Sequence, residues 1–378
     1  MNKPGWSLLY LSQEDCVAAG GAVMAETLKA TERSFFLHGV KDYIQPGKPV
    51  IRWGDASTEE TTGRVMSMPS YLGGKNYSEQ LLERGLLGPV DAVGIKFIPS
   101  RPANSAVGLP RATAINIILD TETLIPVCIM DGAIASAMRT GAASGVAAKY
   151  LANPGSTVFG LVGASVQGMT QAAAIKAAVP GLQQLKVYDI NHMSAVSFAQ
   201  SMACRLDMEV IAVKTVREAF VDSDVISTAT MARAAYVDAA WYKPGAFHAE
   251  ISFWDTPPSA LAVFDRIFVD DWYQVKHHGV DVSWRAVAEG YIPESAITGE
   301  VGEVVAGLKP GRADEHQRIF FNPIGMGIHD LSESHRVYCN ALKRDIGTRL
   351  NYFERSNGWL DSLCIQESVV PVDVAASM

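Results

Sequence analysis

With 378 residues, 48% of them hydrophobic and 19% charged, the chain can fill two globular domains without disulfide or metal staples. Its formal net charge of -8 leaves no broad basic field for a phosphate backbone, which excludes nucleic acid as an expected partner. Five scattered cysteines (Cys16, Cys128, Cys204, Cys339 and Cys364) show no C-x-x-C spacing, so a reducing, cytoplasmic setting is expected and no metal site.

In chain order, Gln13, Glu14 and Asp15 interrupt the N-terminal apolar residues too early for a signal peptide. Ser12 to Leu37 reads as one helix, opened by Ser12 with Asp15 in its first turn. Runs starting at Pro49, Arg64, Ala92 and Ala114 are bounded by Gly, Pro, Asp or Ser and read as strands of a mixed or antiparallel sheet. The small-residue stretch from Gly132 to Ala148 carries Arg139 at its middle and falls short of the roughly 20 apolar residues of a membrane span. From Thr157 the rhythm becomes that of parallel βαβ units, with strands expected at 157–162, 185–189, 209–213, 225–228, 246–251 and 266–269. His329 to Tyr352 reads as one long amphipathic helix that needs a surface to cover. The expected fold is α/β: a Rossmann, doubly wound domain at 146–324, and a mixed α+β substrate and dimerisation domain. The latter comprises residues 1–145 with 325–378 and is completed by the C-terminal helix.

The clearest chemical signal is the strand, turn and helix start of Val158-Phe-Gly-Leu-Val-Gly163-Ala-Ser165-Val166-Gln167-Gly168. Small residues there let the backbone approach a pyrophosphate, and the first helical N–H groups point at its charge. Ser165 takes the middle glycine position of G-x-G-x-x-G. Asp189 closes the next strand, where a carboxylate accepts hydrogen bonds from the adenosine ribose, and no Arg follows it, so NAD is favoured over NADP. Cofactor contacts are expected from Gly163, Ser165, Val166, Gln167, Asp189, Thr228, Thr230 and Met326.

Arg139, alone among small residues, can grip a carboxylate with two parallel hydrogen bonds, or it can be a solvated surface Arg. Strand alternation places Lys96 on the face opposite Val93, Ile95 and Phe97; an outward, solvated Lys is the simpler reading, and a polar group over a nicotinamide the functional one. Asp255 follows an expected parallel strand at its carboxyl end, where open α/β sheets place ligands, and suits either general-base work or capping a turn before Pro257. The histidines lack metal-ligand spacing, and no serine nucleophile elbow is present.

Longer stretches carry a more specific signal: Gln45-Pro-Gly-Lys-Pro, Met68-Pro-Ser-Tyr-Leu-Gly-Gly, Gly94-Ile-Lys-Phe-Ile, Ala137-Met-Arg-Thr, Val269-Asp-Asp-Trp and Asn322-Pro-Ile-Gly-Met-Gly-Ile. Through them the chain resembles the ornithine cyclodeaminase/mu-crystallin family over roughly residues 7–352, with the Pro-Ser-x-x-Gly-Gly and Asn-Pro-x-Gly-Met segments similar to its siderophore-biosynthesis subgroup. The resemblance implies a homodimeric enzyme, with Arg52, Lys96 and Arg139 as substrate-carboxylate ligands and Asp255 as catalytic aspartate, assisted by Lys96. It further implies NAD-dependent oxidation of a secondary-amine conjugate of the N-(2-amino-2-carboxyethyl)-L-glutamate type, hydrolysed to 2-oxoglutarate and L-2,3-diaminopropionate. Cyclodeamination of ornithine, ketimine reduction or alanine dehydrogenation, and a non-catalytic mu-crystallin-like binding role stay open as alternatives.

Overall fold

The computed structural model describes residues 6–55, 60–354 and 357–363, and its strands form two eight-stranded sheets. The first sheet runs in the order Thr348–Phe353, Trp6–Leu11, Pro126–Asp131, Ile115–Leu119, Ala92–Ser100, Glu60–Leu72, Tyr43–Ile44, with Val50–Asp55 also paired to Glu60–Leu72. Most of its ladders are antiparallel, but Trp6–Leu11 lies parallel to Pro126–Asp131.

The second sheet is parallel throughout, ordered Glu209–Ala212, Gln184–Tyr188, Val158–Val162, Val225–Thr228, Phe247–Glu250, Ile319–Asn322, Arg266–Val269, Ile297–Glu300. The six strands expected from sequence are all present; Ile297–Glu300 and Ile319–Asn322 were not foreseen. The second of these slots between Phe247–Glu250 and Arg266–Val269. Three central strands, 225–228, 247–250 and 319–322, are buried at every residue, as strands covered on both faces must be.

Two helix expectations are corrected. The capping box of Ser12 and Asp15 is present, but the helix it opens stops at Ala18 and a second spans Met24–Gly39. Gly20 adopts φ +89°, and a Cβ at Gly21 would come within 2.8 Å of the Cys16 carbonyl oxygen, so the chain turns there instead of continuing. The C-terminal helix is Gly327–Arg344; left-handed Asp345 and Gly347 end it, and residues 348–353 return as an edge strand antiparallel to Trp6–Leu11.

Helix Gly327–Arg344 covers the strands 60–72, 92–100 and 115–119, and Met24–Gly39 and Ala133–Leu151 pack beyond it. One hydrophobic cluster runs through these helices into the parallel sheet and includes Phe35, Val146, Phe159, Leu161, Met326 and Leu331. The small residues of Ala133–Leu151 allow the close approach expected of them: Gly141 lies against the Thr170 carbonyl and Gly145 against that of Ala174, both on helix Val166–Ala178. Among the described residues no helix covers the opposite face of the first sheet, and Tyr10, Ile51, Phe97 and Ile115 are exposed there. Among the described residues no helix is long and apolar enough to cross a membrane, and Cys16, Cys128, Cys204 and Cys339 are free thiols; Cys364 lies outside them.

A Cβ at Gly145 would sit 2.8 Å from both the Ala174 carbonyl oxygen and Leu28 Cδ2. Gly145→Val is therefore expected to destabilise the protein by about 1–3 kcal/mol, read as a lowered midpoint of thermal unfolding; an unchanged midpoint contradicts this packing.

Candidate active site

Three cations converge near one buried carboxylate. The alternation of strand Ala92–Ser100 puts Lys96 beneath the helix layer with Gly94 and Asn116, leaving it 2% exposed, so the solvated reading of Lys96 is wrong. The exposed partner on that strand is Phe97. Asp330, from helix Gly327–Arg344, brings Oδ1 within 2.5 Å of Lys96 Nζ and 3.1 Å of Arg139 Nε. Its Oδ2 has no hydrogen-bond partner among the described residues. Lys96 Nζ also donates to Ser136 Oγ at 3.3 Å. Burial, with the Arg139 charge adding to it, pushes the Lys96 ammonium down to about 7 despite Asp330. Removing one partner of such a buried ion set typically costs ~3–5 kcal/mol, because it strands the opposite charge.

Lys48 is the third cation and was missed from sequence, although it lies in the Gln45-Pro-Gly-Lys-Pro stretch. Gln45 ties that loop to Asp271 Oδ2 at 3.1 Å and to the Ile328 amide at 3.4 Å, and Lys48 Nζ donates to the Ile324 carbonyl at 2.8 Å. Burial lowers Lys48 to about 8, with Arg139 acting in the same direction. Arg52 stands apart from this group: it is exposed on strand Val50–Asp55 and lines a cleft of about 830 Å³.

Asp270 fixes the turn that joins these pieces. Its carboxylate accepts from the amides of Ile324 at 3.0 Å and Gly325 at 2.6 Å. Gly325 has φ +81°, and a Cβ on it would come within 2.7 Å of Arg139 Nη1, so glycine is needed to pass the guanidinium. Burial raises the Asp270 carboxyl to about 6. Nothing in the Val269-Asp-Asp-Trp stretch announces this role, since the amides it holds lie more than fifty residues away.

A second polar group lies at the carboxyl end of strand Phe247–Glu250, whose sequence Phe-His-Ala-Glu is unusual for a strand buried on both faces. His248 sits between Thr228 Oγ1 at 3.1 Å and the Tyr242 hydroxyl at 2.8 Å, and burial lowers it to about 3, so it is neutral. Asp255 is fully buried and accepts from Thr230 Oγ1 at 2.5 Å and from Ser252 Oγ. Burial raises its carboxyl, while the Ser252, Thr230 and Tyr236 hydroxyls oppose the rise. Glu250, which accepts only a long bond from the Thr256 amide at 3.4 Å, is held well above the carboxylate range by burial and by Asp255. The two carboxyls thus differ in support: Asp255 collects hydroxyl donors, whereas Glu250 Oε2 has no hydrogen-bond partner among the described residues.

Thr230 also lines a cleft of about 590 Å³, walled by Gly163, Ser165, Tyr188, Asp189 and Ile190 among others. Gly163 has φ +105°, and a Cβ there would lie 2.6 Å from the Ala229 carbonyl oxygen; one on Gly168 would collide with the Gly163 carbonyl. Ser165 caps the helix without using its hydroxyl, leaving the group free beside the first helical amides. The Asp189 carboxylate accepts from the amides of Ala164 and Asn191, each at 2.9 Å, which braces the turn while leaving lone pairs for a ribose. These residues fit a dinucleotide. Val166 and Gln167 start the helix below the turn; Thr228 is buried with its hydroxyl on His248, and Met326 is buried in the core, so neither lines this cleft. Gln171 links the two polar groups, donating to the Thr140 carbonyl at 3.2 Å and accepting from Ser227 Oγ at 3.2 Å.

Fold and site together define an NAD-dependent oxidoreductase acting on amino acids. The chain belongs to the ornithine cyclodeaminase/mu-crystallin family, whose profile matches residues 48–345. It is 30% identical to the N-((2S)-2-amino-2-carboxyethyl)-L-glutamate dehydrogenase of Staphylococcus aureus, over 92% of this chain and 99% of that protein. It is 31% identical to the alanine dehydrogenase of Archaeoglobus fulgidus, over 91% and 98%. Among solved structures, the Thermococcus litoralis Delta(1)-pyrroline-2-carboxylate reductase with NADH and L-proline superposes with a TM-score of 0.78 at 30% identity, covering 90% of this chain and 99% of that one. An archaeal alanine dehydrogenase dimer with bound NAD gives 0.79 at 28% identity, covering 92% and 100%.

Substituting Gly163→Ala is expected to weaken NAD binding at least about tenfold, or about 1.4 kcal/mol, with far-ultraviolet circular dichroism unchanged. Wild-type affinity in a fluorescence titration would remove the turn from the cofactor site.

Proposed function

We propose that the protein oxidises a secondary-amine amino acid conjugate of the N-(2-amino-2-carboxyethyl)-L-glutamate type to an imine, which water cleaves to 2-oxoglutarate and L-2,3-diaminopropionate. The observation carrying this reading is the presence in one fold of a cation group, buried Lys96 and Arg139 with half-buried Lys48, and of a buried, hydroxyl-braced Asp255 whose partner Thr230 lines the proposed dinucleotide cleft. The near-complete coverage of the Staphylococcus aureus relative supports the substrate.

When bound at Gly163, Ser165 and Asp189, NAD supplies a hydride acceptor. Arg139 and Lys96 hold the α-carboxylate, and Lys48 adds positive charge at the same point. Asp255, held by Thr230 and Ser252, takes a proton from the water that adds to the imine carbon. That proton passes to the amine nitrogen as the carbon–nitrogen bond breaks, releasing the oxo acid and the amine. The uncovered apolar face with Tyr10, Ile51, Phe97 and Ile115 supports pairing of two copies through the first sheet.

The experiment incubates purified protein with NAD and the conjugate, following reduced nicotinamide by absorbance and both products by chromatography. The 31% identity to an alanine dehydrogenase favours a second reading, so L-alanine is the comparison substrate. NADH from alanine but none from the conjugate refutes the first reading. Asp255→Asn is expected to lower kcat by about 10²–10⁴-fold with NAD affinity retained; equal kcat in both proteins removes Asp255 from catalysis.

The pH profile follows from the shifts. Lys96 must be protonated to hold a carboxylate and loses its proton above about 7, so kcat/KM in the free enzyme falls on the alkaline side of that value. On the acid side it falls as Asp255 gains a proton. Lys96→Arg, permanently charged, is expected to remove the alkaline limb near neutrality; an identical limb in this variant assigns it to another group.

A further inference from the structure

We infer that Tyr236 carries the proton from Asp255 to the departing amine nitrogen, acting as the general acid of imine cleavage. The role rests on the reaction proposed above and supplies the carrier for its last proton.

Tyr236 belongs both to the wall of the 590 Å³ cleft that holds Gly163 and Asp189 and to the surroundings of Asp255. Its segment is clasped to Asp255 at both ends. Thr230 Oγ1 accepts from the Ala232 amide at 3.1 Å and donates to Asp255 Oδ1 at 2.5 Å. The amides of Tyr236 and Val237 donate to the Asp255 main-chain carbonyl at 3.0 and 3.1 Å. The Tyr236 hydroxyl is thereby brought toward Thr230 and the Asp255 carboxyl, yet it meets no partner at hydrogen-bond geometry among the described residues. Among those residues it is also the one side-chain polar atom of the cleft lining that is buried from solvent and unpartnered. A buried tyrosine hydroxyl ordinarily finds a partner, so this one has a proton and lone pairs in reserve for a bound group.

The neighbouring groups are already committed. Thr230 and Ser252 spend their protons on the two oxygens of Asp255, and neither can hand one to a nitrogen without uncovering the carboxylate. Tyr242 is bonded to His248 at 2.8 Å, and neither it nor Glu250 lines the cleft. Burial and the Asp255 charge hold the Tyr236 phenol well above its usual range, so it keeps its proton until a base takes it. Water adds to the protonated imine carbon and leaves one proton on Asp255. Tyr236 then gives its own proton to the carbinolamine nitrogen while taking that one, so no buried phenolate forms. The carbon–nitrogen bond breaks with its electron pair on nitrogen, the carbinol hydroxyl loses its proton to Asp255, and the oxo acid and amine part.

The test uses the full-length protein with NAD and, in parallel, the conjugate and L-alanine, since each is cleaved through an imine. In Tyr236→Phe, stopped-flow absorbance is expected to show a burst of NADH stoichiometric with active sites, then a steady rate about 10²-fold below wild type. NAD affinity should be unchanged. Quenching the steady state with borodeuteride should place deuterium at the α-carbon of recovered substrate, the mark of a stalled imine. A merely structural role would slow hydride transfer and cleavage together. Wild-type turnover in Tyr236→Phe, or loss of the burst along with the steady rate, overturns the relay and leaves the oxidation standing. A second measurement needs neither turnover nor that variant: with 3-fluorotyrosine at position 236, the fluorine resonance of the unliganded protein should move on Asp255→Asn, and an unmoved resonance overturns the relay. Cleavage of alanine alone, with the burst in Tyr236→Phe, keeps the relay and discards the conjugate as substrate; oxidation of neither amine discards both.

Discussion

A carboxylate locked between an ammonium and a guanidinium in a nearly dry interior is the interaction on which the proposed substrate site depends. Asp330 contacts both Lys96 and Arg139, which come from a strand and a helix far apart in sequence. Without it, two like charges would share a low-dielectric space, where repulsion and desolvation both drive toward loss of a proton or unfolding. With it, the cations are held within reach of one another and one carboxylate oxygen is left without a partner. The arrangement resembles a substrate carboxylate already in place: the cations are preorganised by an internal anion before an external one arrives, so less reorganisation is needed on binding.

The second polar group obeys the same electrostatics with the sign reversed. Glu250 and Asp255 share a buried region, and only Asp255 collects hydroxyl donors. That asymmetry makes Asp255 the better braced acceptor of the two. Thr230 joins it to the lining of the proposed dinucleotide cleft, and Gln171 couples strand Val225–Thr228 to the helix carrying Arg139. In the proposed mechanism, binding and proton transfer fall to these two polar groups.

Much of this was legible in the sequence, for identifiable reasons. The strand, turn and helix at Gly163 announced themselves because steric demands on glycine are local. The six strands expected from residue 157 to 269 stood out because β-rich runs alternate there with helical stretches, the rhythm of parallel βαβ units. Arg139 was conspicuous as the only charge between Asp131 and Lys149, in a stretch of small residues. Lys96 was ambiguous because alternation separates two faces without saying which is covered, and here the apolar one is bare. Lys48, Asp270 and Asp330 were missed because their meaning comes from partners distant in the chain, Ile324, Gly325 and Lys96, which no local pattern encodes. The helix break at Gly20 and Gly21 and the return strand after Gly347 were missed because amphipathic spacing continued through both.

The glycine contacts of helix Ala133–Leu151 carry one more implication. Gly141 and Gly145 press that helix onto the one that opens the dinucleotide turn, so Arg139 and the Ser165 helix start belong to a single welded body. Each residue of an α-helix advances the azimuth by about 100°. Point changes at Gly141 or Gly145 open that seam, and a single inserted or deleted residue within the helix would swing the guanidinium off its target while the seam lost its register. The number of residues in the helix is therefore as strict a requirement there as the two glycines.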